Sequence, residues 1–407
     1  MAKKHRKGEN TATGQRCVSA APWHAVIAMP SESDPRCRAA DSGGADDTGN
    51  KVDTVADGHQ FPDRKSLMKA ARTNEYCETM KPVNANTLQS GILRALLITA
   101  VLLPCTVQAL TFRLDGDEVV GNTLEIQTSY EDTFVDLGHV YGLGYREMMD
   151  ANPDVWPWVP GEGTDVRLPL AFVLPSQGLG GEERIVLNLA EFRLYHFIPE
   201  KNIVRAYAVG IGKQGWETPT STATVTGVVQ NPSWTPPASI RQESAARGIT
   251  LPSVVPPGPD NPLGEYAVAL SIPGYLFHGS NQRLGFGMRV SHGCIRLYAS
   301  DIEELATSVR PGLPVNIINE PVKAGWKEGQ LFLEVHPQLE EYADQPVNVE
   351  QIIADAVARR PDLVPGEGWR EGWSEGWEAL IDWEKVSALT SRQSGIPEAI
   401  SGVSPRS

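Results

Sequence analysis

A thiol and an imidazole sixteen residues apart could together perform covalent catalysis. His278 ends an apolar run that begins at residue 275, and Cys294 lies in the segment 290–297. A thiol with an ordinary pKa of about 8.5 is a weak nucleophile at neutral pH, so an imidazole within hydrogen-bonding reach would take its proton and stabilise the thiolate. Two adjacent strands can bridge this separation. The pair therefore predicts Cys294 as a nucleophile and His278 as its base.

The residues beside this pair are suited to bind a substrate or a transition state. Gly293 lets a substrate approach the backbone and is predicted to leave N–H groups facing an oxyanion, an effect worth ~3 to 4 kcal/mol, although a turn glycine is the alternative. His292 completes this oxyanion site or packs as a neutral structural histidine. Arg296 clamps a substrate carboxylate or anchors a local acidic side chain. Ser291 and Gly279 are further candidate substrate contacts.

The residue types of His278, His292 and Cys294 also allow two interpretations other than a catalytic pair, namely a metal site and an inert cysteine. His278, His292 and Cys294 are all metal-ligand types, but they lack the tightly spaced pairs of a zinc site and no second cysteine is in register. The spacing therefore predicts no metal site at these residues. A buried, chemically inert cysteine is the stronger alternative.

An apolar segment upstream is typical of an export signal. Residues 96–103 are apolar, follow Lys81 and Arg94, and lead to Ala109. We expect a signal peptide at 80–109, because the run is much shorter than the ~20 residues of a membrane span. Residues 1–79 are polar and precede this signal, so we expect a non-native or disordered extension, with the natural start at residue 80.

Cleavage of the predicted signal peptide would determine which cysteines remain in the mature chain. Of five cysteines, Cys17, Cys37, Cys77 and Cys105 precede the cleavage point. Cys105 has a lipobox-like place without the small residue that normally precedes the cysteine, so lipidation is the alternative fate of this segment. Only Cys294 remains in the mature chain. A lone thiol in an oxidising compartment is either buried and inert or chemically used.

Mainly β-structure is predicted around the catalytic pair. Three β-rich runs follow one another at 185–189, 193–197 and 203–211, and the last two predict a hairpin. Between Asn231 and Pro262, eight prolines exclude a central strand and disfavour a long helix. A loop of this length is usually functional, so we expect a lid over the site, with a structural Ω-type excursion as the alternative.

Smaller units flank this domain. Residues 122–172 predict a strand, two helices and a closing strand, and 170–183 has the composition of a linker. Beyond Glu320, we predict a strand at 330–336 and a short helix at 349–359. The sequence E-G-W then recurs every four residues between 367 and 377, which would align three tryptophans on one helix face, although glycine at each step disfavours a helix.

Composition and charge limit the possible partners. The 407 residues are 41% hydrophobic and 21% charged, which predicts a soluble protein of two or three domains. Residues 110–407 carry 22 basic against 39 acidic side chains, a net charge of −17. Such a surface repels phosphate groups and anionic lipids, so we expect neither nucleic-acid binding nor a peripheral membrane role. A substrate should tolerate or carry positive charge.

The motif S-H-G-C-I-R-L at 291–297, with H-G at 278–279, resembles the L,D-transpeptidase catalytic domain, also called the YkuD domain. The similarity spans about 184–319 and includes V-G-I-G at 209–212, T-P-T at 218–220, N-P-S-W-T-P-P-A-S-I-R at 231–241 and G-P-D-N-P-L-G at 258–264. It is greatest to the exported Gram-negative branch that attaches an outer-membrane lipoprotein to peptidoglycan. One departure is Ser221, where a glycine usually follows T-P-x, so that turn is expected to differ.

This resemblance implies a mainly β fold. The expected architecture is a β-sandwich catalytic domain at 184–319, a small α/β module at 122–172 that resembles the LysM glycan-binding module, and a C-terminal extension at 320–407. A small helical linker domain is the alternative for 122–172. The resemblance also implies a periplasmic protein without stable membrane insertion after cleavage of the signal.

The activity implied by the resemblance is acyl transfer on peptidoglycan. Cys294 would attack the tetrapeptide stem and release D-alanine, and an amine would then take the acyl group from the thioester. His278 would serve as the general base, while Gly293, Cys294 and His292 supply oxyanion contacts. The acceptor would be the C-terminal lysine of an outer-membrane lipoprotein or another stem. The resemblance implies no metal and no organic cofactor. Hydrolysis of the same bonds and a non-catalytic peptidoglycan-binding protein remain alternatives.

Overall fold

The computed structural model describes residues 109–363 and 376–401, and every structural statement below concerns these residues. Within them the chain forms seventeen β-strands and six α-helices, which confirms the prediction of a mainly β protein. The predicted extension, the signal peptide and most of the tryptophan repeat lie outside the described residues.

Two helices and five short strands make up the N-terminal unit. Its elements are β1 (Leu110–Arg113), β2 (Val119–Gly121), β3 (Leu124–Gln127), α1 (Phe134–Tyr141), α2 (Tyr145–Ala151), β4 (Asp165–Leu168) and β5 (Ala171–Val173). β3 and β4 pair antiparallel, so the predicted order of strand, helix, helix and strand is present. Thr133 begins α1 by accepting a hydrogen bond from the Asp136 N–H. Phe134, Met148 and Leu168 are fully buried in a shared core.

A ten-stranded mixed sheet forms the centre of the described chain. Besides β1 it contains β6 (Arg184–Asn188), β7 (Arg193–Ile198), β8 (Ile203–Gly212), β9 (Ser221–Gln230), β10 (Tyr266–Leu270), β11 (Leu276–His278), β12 (Arg289–Ser291), β13 (Ile295–Leu297) and β14 (Pro314–Ile318). The order is β1-β8-β13-β11-β10-β9-β14-β6-β7, and β12 pairs with β8. Because β7 also pairs with β8, the sheet closes on itself around a core.

Successive side chains along each strand point alternately into this core and towards the opposite face of the sheet. Phe277 of β11 and Ile295 of β13 are register partners and both are fully buried in the core. The helix α4 (Ala299–Ser308) packs on the same side of the sheet. It contributes Ile302 and Leu305 to this core. The next residues in each strand, His278 and Arg296, therefore point away from this core.

The proline-rich segment 231–264, called the lid below, folds as a small unit of its own. It contains one helix, α3 (Ala238–Ala246), and is otherwise irregular, as its prolines predict. Trp234, Ile240 and Leu263 form a separate buried cluster. The Asn261 side chain donates to the Pro232 carbonyl at 2.7 Å and accepts from the Leu263 N–H at 2.9 Å. These contacts hold the lid in one conformation.

The C-terminal unit adds a second sheet and two helices. Its elements are β15 (Val322–Lys327), β16 (Gln330–Val335), α5 (Val349–Arg359), α6 (Trp383–Arg392) and β17 (Glu398–Ala399). The strand predicted at 330–336 and the helix predicted at 349–359 are confirmed. Trp326 is buried and its indole N–H donates to the Ala356 carbonyl at 2.9 Å, which fastens α5 to the sheet. No helix in residues 109–363 or 376–401 is long and apolar enough to cross a membrane.

Candidate active site

Of the two predicted catalytic residues, His278 ends β11 and Cys294 immediately precedes β13. β11 and β13 run parallel, and His278 pairs with Arg296 in register. Cys294 precedes Arg296 by two residues, so the pleat places Cys294, Arg296 and His278 on one face of the sheet. The structure thus brings together the residues that the sequence placed sixteen positions apart.

The tautomer of His278 is determined by a backbone carbonyl. Nδ1 lies 2.6 Å from the Gly279 oxygen, and a carbonyl can only accept, so Nδ1 carries the proton. Nε2 therefore has a lone pair, and in the described structure this buried atom has no hydrogen-bond partner. Burial and then the charge of Arg296 lower the pKa of His278 to about 3. His278 is thus a neutral imidazole at physiological pH and can accept a proton at Nε2.

Cys294 is fully buried beneath this arrangement. Its side chain is 0% exposed, and Sγ donates to the Gly274 carbonyl across 3.5 Å. No part of the thiol therefore reaches solvent in this conformation. A macromolecular substrate can reach Sγ only if a covering segment moves.

Arg296 is a buried cation next to the thiol. It is 3% exposed, its Nε is buried without a hydrogen-bond partner, and no acidic side chain in the described ranges forms a salt bridge with it. Burial lowers the pKa of Arg296 to about 10, and the nearby Cys294 thiolate acts in the opposite direction, so the guanidinium stays charged at neutral pH. The hypothesis that Arg296 anchors a local acidic side chain is therefore wrong for this part of the chain.

The turn before the nucleophile is held by internal hydrogen bonds. Ser291 Oγ accepts from the Gly293 N–H at 3.1 Å and donates to the Cys294 carbonyl at 2.5 Å. The Gly293 carbonyl accepts from Thr218 Oγ1 at 2.8 Å. Gly293 has a φ of 103°, which favours glycine at this position. The expectation that its N–H faces an oxyanion is wrong for this conformation, because Ser291 already accepts that hydrogen, and Ser291 supports the turn.

The replaced glycine of the T-P-x motif leaves this support intact. Thr218 Oγ1 also accepts from the Gly212 N–H at 3.0 Å, so it connects β8 to the nucleophile turn. Ser221 begins β9 and does not have the positive φ that would require glycine. The altered turn expected from the sequence therefore causes no visible disruption.

His292 is held by the lid. Its Nε2 lies 2.5 Å from Glu243 Oε2 of α3, and Trp216 makes an edge contact with the imidazole at 4.7 Å between ring centres. Burial lowers the pKa of His292, and Glu243 only partly offsets this effect. A neutral imidazole bound in this way donates from Nε2 to Glu243. That nitrogen is therefore not available to an oxyanion, contrary to one of the two interpretations of His292.

The lid also contacts the segment that carries the base. A side chain at Gly264 would lie 3.0 to 3.1 Å from the backbone of Gly279 and Ser280, so the two backbones are nearly in van der Waals contact. Leu276, two residues before His278, packs against the small core of the lid. The lid therefore contacts both the segment that carries His278 and the turn that carries Cys294.

The described residues hold one cluster with the composition of a metal site. Oxygen and nitrogen atoms of Glu191, Glu334 and His336 lie within 4.8 Å of one another, and all three residues are buried. Lys323 Nζ stands between the carboxylates, 2.8 Å from Glu191 and 2.9 Å from Glu334. An ammonium group already occupies the place of a cation, so this cluster is a buried ion-pair network.

Sequence reasoning missed two residues that support the turn. Glu243 and Lys213 form an ion pair at 2.9 Å, and the Lys213 N–H donates to the Ser291 carbonyl at 2.9 Å. Glu243 lies 49 positions from its partner His292, and no local pattern marks it. The helix that carries Glu243 was not predicted from the sequence.

The chain is similar in sequence to known L,D-transpeptidases. A family model described as the L,D-transpeptidase catalytic domain, YkuD, matches residues 182–317. The chain is 42% identical over 253 residues to the probable L,D-transpeptidase YcfS of Escherichia coli K12, an alignment that covers 60% of this chain and 78% of that protein. It is 35% identical to the probable L,D-transpeptidase ErfK/SrfK of the same strain, covering 72% of this chain and 91% of the relative. The probable L,D-transpeptidase YbiS is 40% identical, with coverage of 58% and 77%.

Proposed function

This chain belongs to the L,D-transpeptidase family, and from that premise we propose that Cys294 attacks the tetrapeptide stem of peptidoglycan and transfers the acyl group to an amine. The observation that carries the proposal is that His278 ends β11 and Cys294 immediately precedes β13, the strand paired with β11, with Nε2 of His278 buried and carrying a lone pair.

The first half of the reaction uses this pair. Nε2 of His278 takes the Sγ proton, and the thiolate attacks the carbonyl carbon of the third stem residue. As the tetrahedral intermediate collapses, the imidazolium returns its proton to the departing nitrogen, D-alanine leaves, and a thioester remains. Gly279 contributes by keeping the other ring nitrogen protonated, so the imidazole accepts at the correct atom throughout.

Arg296 is proposed to bind a carboxylate of the stem. Within residues 109–363 and 376–401 this buried guanidinium has no acidic partner, so it is suited to a charge-assisted hydrogen bond with an oxyanion, which its Nε can donate. The same charge favours the thiolate of Cys294, which it interacts with electrostatically. This local charge differs in sign from the net charge of −17 carried by residues 110–407.

The second half returns the enzyme to its starting state. An amine attacks the thioester, His278 Nε2 takes the amine proton, and Sγ leaves as a thiolate that recovers the proton. The C-terminal lysine of an outer-membrane lipoprotein and the amine of another stem are the proposed acceptors. No external energy source is needed, since the thioester retains the free energy of the cleaved amide.

A periplasmic location and a peptidoglycan-binding role of the N-terminal unit accompany this proposal. The strand and helix order of residues 122–172 supports a LysM-like module, and five large apolar side chains of this unit are exposed: Leu124, Tyr130, Val140, Trp156 and Val159. Exposed aromatic rings suit stacking on sugars. The signal peptide proposed at 80–109 would deliver the protein to that compartment.

Product analysis tests the reaction. The protein beginning at residue 110 is incubated with tetrapeptide muropeptides and a lysine-ended peptide, and products are separated by mass spectrometry. A joined product with released D-alanine supports transfer; a shortened stem alone indicates a hydrolase, and unchanged substrate indicates a binding protein. Cys294→Ala should abolish both products, and intact mass after exposure to a carbapenem should show an adduct only when Cys294 is present.

The role of Arg296 has its own test. A stem whose carboxylates are amidated should react more slowly than the free acid with wild-type protein. With Arg296→Met the free acid should lose this advantage, so both stems react at similar low rates. Equal discrimination by the two proteins would contradict carboxylate binding by Arg296.

A further inference from the structure

We propose that Glu243 of the lid is a positioning residue for acyl transfer: it fixes the ring of His292 and thereby holds the turn that presents Cys294. The inference rests on the proposed function of Cys294 and concerns a residue outside the S-H-G-C-I-R-L and H-G motifs.

Glu243 is the common partner of three basic groups. Its Oε2 lies 2.5 Å from His292 Nε2, its Oε1 lies 2.9 Å from Lys213 Nζ, and Arg247 is 3.6 Å away on the next turn of α3. Burial raises the pKa of Glu243, but hydrogen bonds from His292 and Lys213 outweigh it and lower the pKa to about 2. Glu243 is therefore a carboxylate at any pH at which the enzyme would work.

His292 differs from the partner in an ordinary surface ion pair because it is almost completely buried. It is 2% exposed, whereas the Glu243 side chain is 32% exposed. A carboxylate that reaches inward to a buried imidazole selects one tautomer and one ring orientation. Trp216 packs against the same ring, so rotation of His292 would require two contacts to break.

The ring orientation matters because His292 lies within the turn that leads to Cys294. Ser291 and Gly293 on either side of it form the hydrogen bonds that shape this turn. Lys213 binds the turn as well, since its N–H donates to the Ser291 carbonyl while its ammonium group binds Glu243. Glu243 therefore connects the lid to the turn through a buried side chain and through a backbone hydrogen bond.

Displacement of the lid would break these contacts together. Cys294 is fully buried, so substrate entry requires a covering segment to move, and α3 is a lid element bonded to the nucleophile turn. Glu243 thus links the position of α3 to the geometry of the turn that carries the nucleophile.

Substitution at Glu243 tests the proposal with a matched control on the same helix. Glu243→Ala removes the acceptor, Glu243→Gln keeps an acceptor oxygen without the charge, and Gln242→Ala changes an exposed neighbour on α3. We measure the rate of acyl-enzyme formation by intact mass, kcat and KM for the stem, the thermal midpoint, and the 15N shifts of the His292 ring.

The expected results separate positioning from general stability. Glu243→Ala should slow acylation at least tenfold, mainly through kcat, and should change the His292 signals from those of an imidazole protonated at Nε2. Glu243→Gln should recover much of the rate, and Gln242→Ala should match the wild type. Acylation by Glu243→Ala within twofold of the wild type would overturn the proposal, as would unchanged His292 signals or a rate loss fully explained by unfolding.

Failure of the proposed function has a different outcome. If the wild type forms no acyl-enzyme while Cys294→Ala behaves identically, the proposed function fails and this inference fails with it. If the wild type reacts through Cys294 and Glu243→Ala reacts equally fast, only the role of Glu243 is overturned.

Discussion

Glu147 of α2 and Arg193 of β7 form a buried ion pair that joins the N-terminal unit to the large sheet. Arg193 Nε donates to Glu147 Oε1 at 2.8 Å, and the other carboxylate oxygen accepts from the Gly144 N–H at 2.5 Å. The guanidinium also lies over the Phe172 ring, 4.2 Å from its centre. One carboxylate thus begins α2 and binds the sheet at the same time.

Removal of one partner of this pair should strongly destabilise the protein. Glu147→Gln leaves the Arg193 charge buried and poorly compensated, for which we expect a loss of ~3 to 5 kcal/mol in the free energy of unfolding. Urea denaturation followed by tryptophan fluorescence measures this loss. The double variant Glu147→Leu/Arg193→Met should be more stable than Glu147→Gln, because no charge remains buried.

The control for this prediction is an ion pair at the surface. Arg360 and Asp362 are bonded at 3.1 Å in an exposed position. Asp362→Asn should leave the unfolding midpoint unchanged within error, since exposed pairs contribute little. A similar loss in both variants would show that burial of the Glu147 pair has no special importance.

The contact between Gly144 and Gly287 predicts that the N-terminal helices influence catalysis. A side chain at Gly144 would lie 2.7 Å from the Gly287 Cα, and the Tyr145 N–H donates to the Phe286 carbonyl at 3.0 Å. Gly144→Ala should therefore displace the segment between His278 and Cys294, lower stability by ~1 to 3 kcal/mol and slow acylation. Stopped-flow acylation and thermal unfolding measure the two effects.

An open glycine provides the control. Gly227 in β9 has no atom within 4 Å of the place where a side chain would begin, and its φ is ordinary. Gly227→Ala should keep full activity. Normal acylation by a destabilised Gly144→Ala variant would show that the segment 280–290 tolerates movement at this contact.

Burial of His278 predicts a specific dependence of stability on pH. The pKa of His278 is about 3 in the folded protein and near 6.5 when unfolded, so the unfolded chain binds more protons between these values. Stability therefore rises with pH through this window, and its loss from pH 7 to pH 4 through this group is on the order of 3 kcal/mol. His278→Gln should show a shallower slope of unfolding free energy against pH. A slope equal to that of the wild type would contradict a neutral, buried His278.

Removal of Lys323 should convert the ion-pair network into a cation site. Lys323→Ala leaves the carboxylates of Glu191 and Glu334 beside His336 without the ammonium group, which we expect to cost ~3 to 5 kcal/mol. Zinc ions should then raise the thermal midpoint of the variant but not of the wild type, because the three ligand atoms remain close together. The double variant Lys323→Ala/His336→Gln should respond less. No zinc response in either variant would show that the cluster rearranges.

The candidate catalytic pair could be proposed from the sequence because its signals are local. His278 and Gly279 are adjacent, and Ser291 to Leu297 form one uninterrupted motif, so residue type and spacing mark them as candidates. The β-runs of the large sheet were also found, because alternation and β-branched residues persist over each strand. The helix Val349–Arg359 was found for a similar reason, since its apolar positions repeat with helical spacing.

What the sequence did not predict depends on contacts between distant segments. Glu243 reaches His292 across 49 positions, and nothing around Glu243 distinguishes it from other acidic residues of an acidic chain. The engaged N–H of Gly293 was missed because its acceptor, the Ser291 hydroxyl, rotates according to the turn geometry. β15 was missed because its lysines and glycine hide the alternation; Lys323 points into a buried network that only the fold creates.

The uncompensated charge of Arg296 has a consequence for how this protein evolves and is engineered. Arg296 is buried and pairs with no acidic side chain among the residues that the structure describes. Such a cation weakens the empty fold, so Arg296→Met should melt at a higher temperature than the wild type. Selection for thermal stability alone would thus favour loss of the residue that we propose to bind the substrate carboxylate. A bound anionic ligand should reverse this order of melting temperatures. It supplies the negative charge that Arg296 lacks and so stabilises the wild type, but not Arg296→Met.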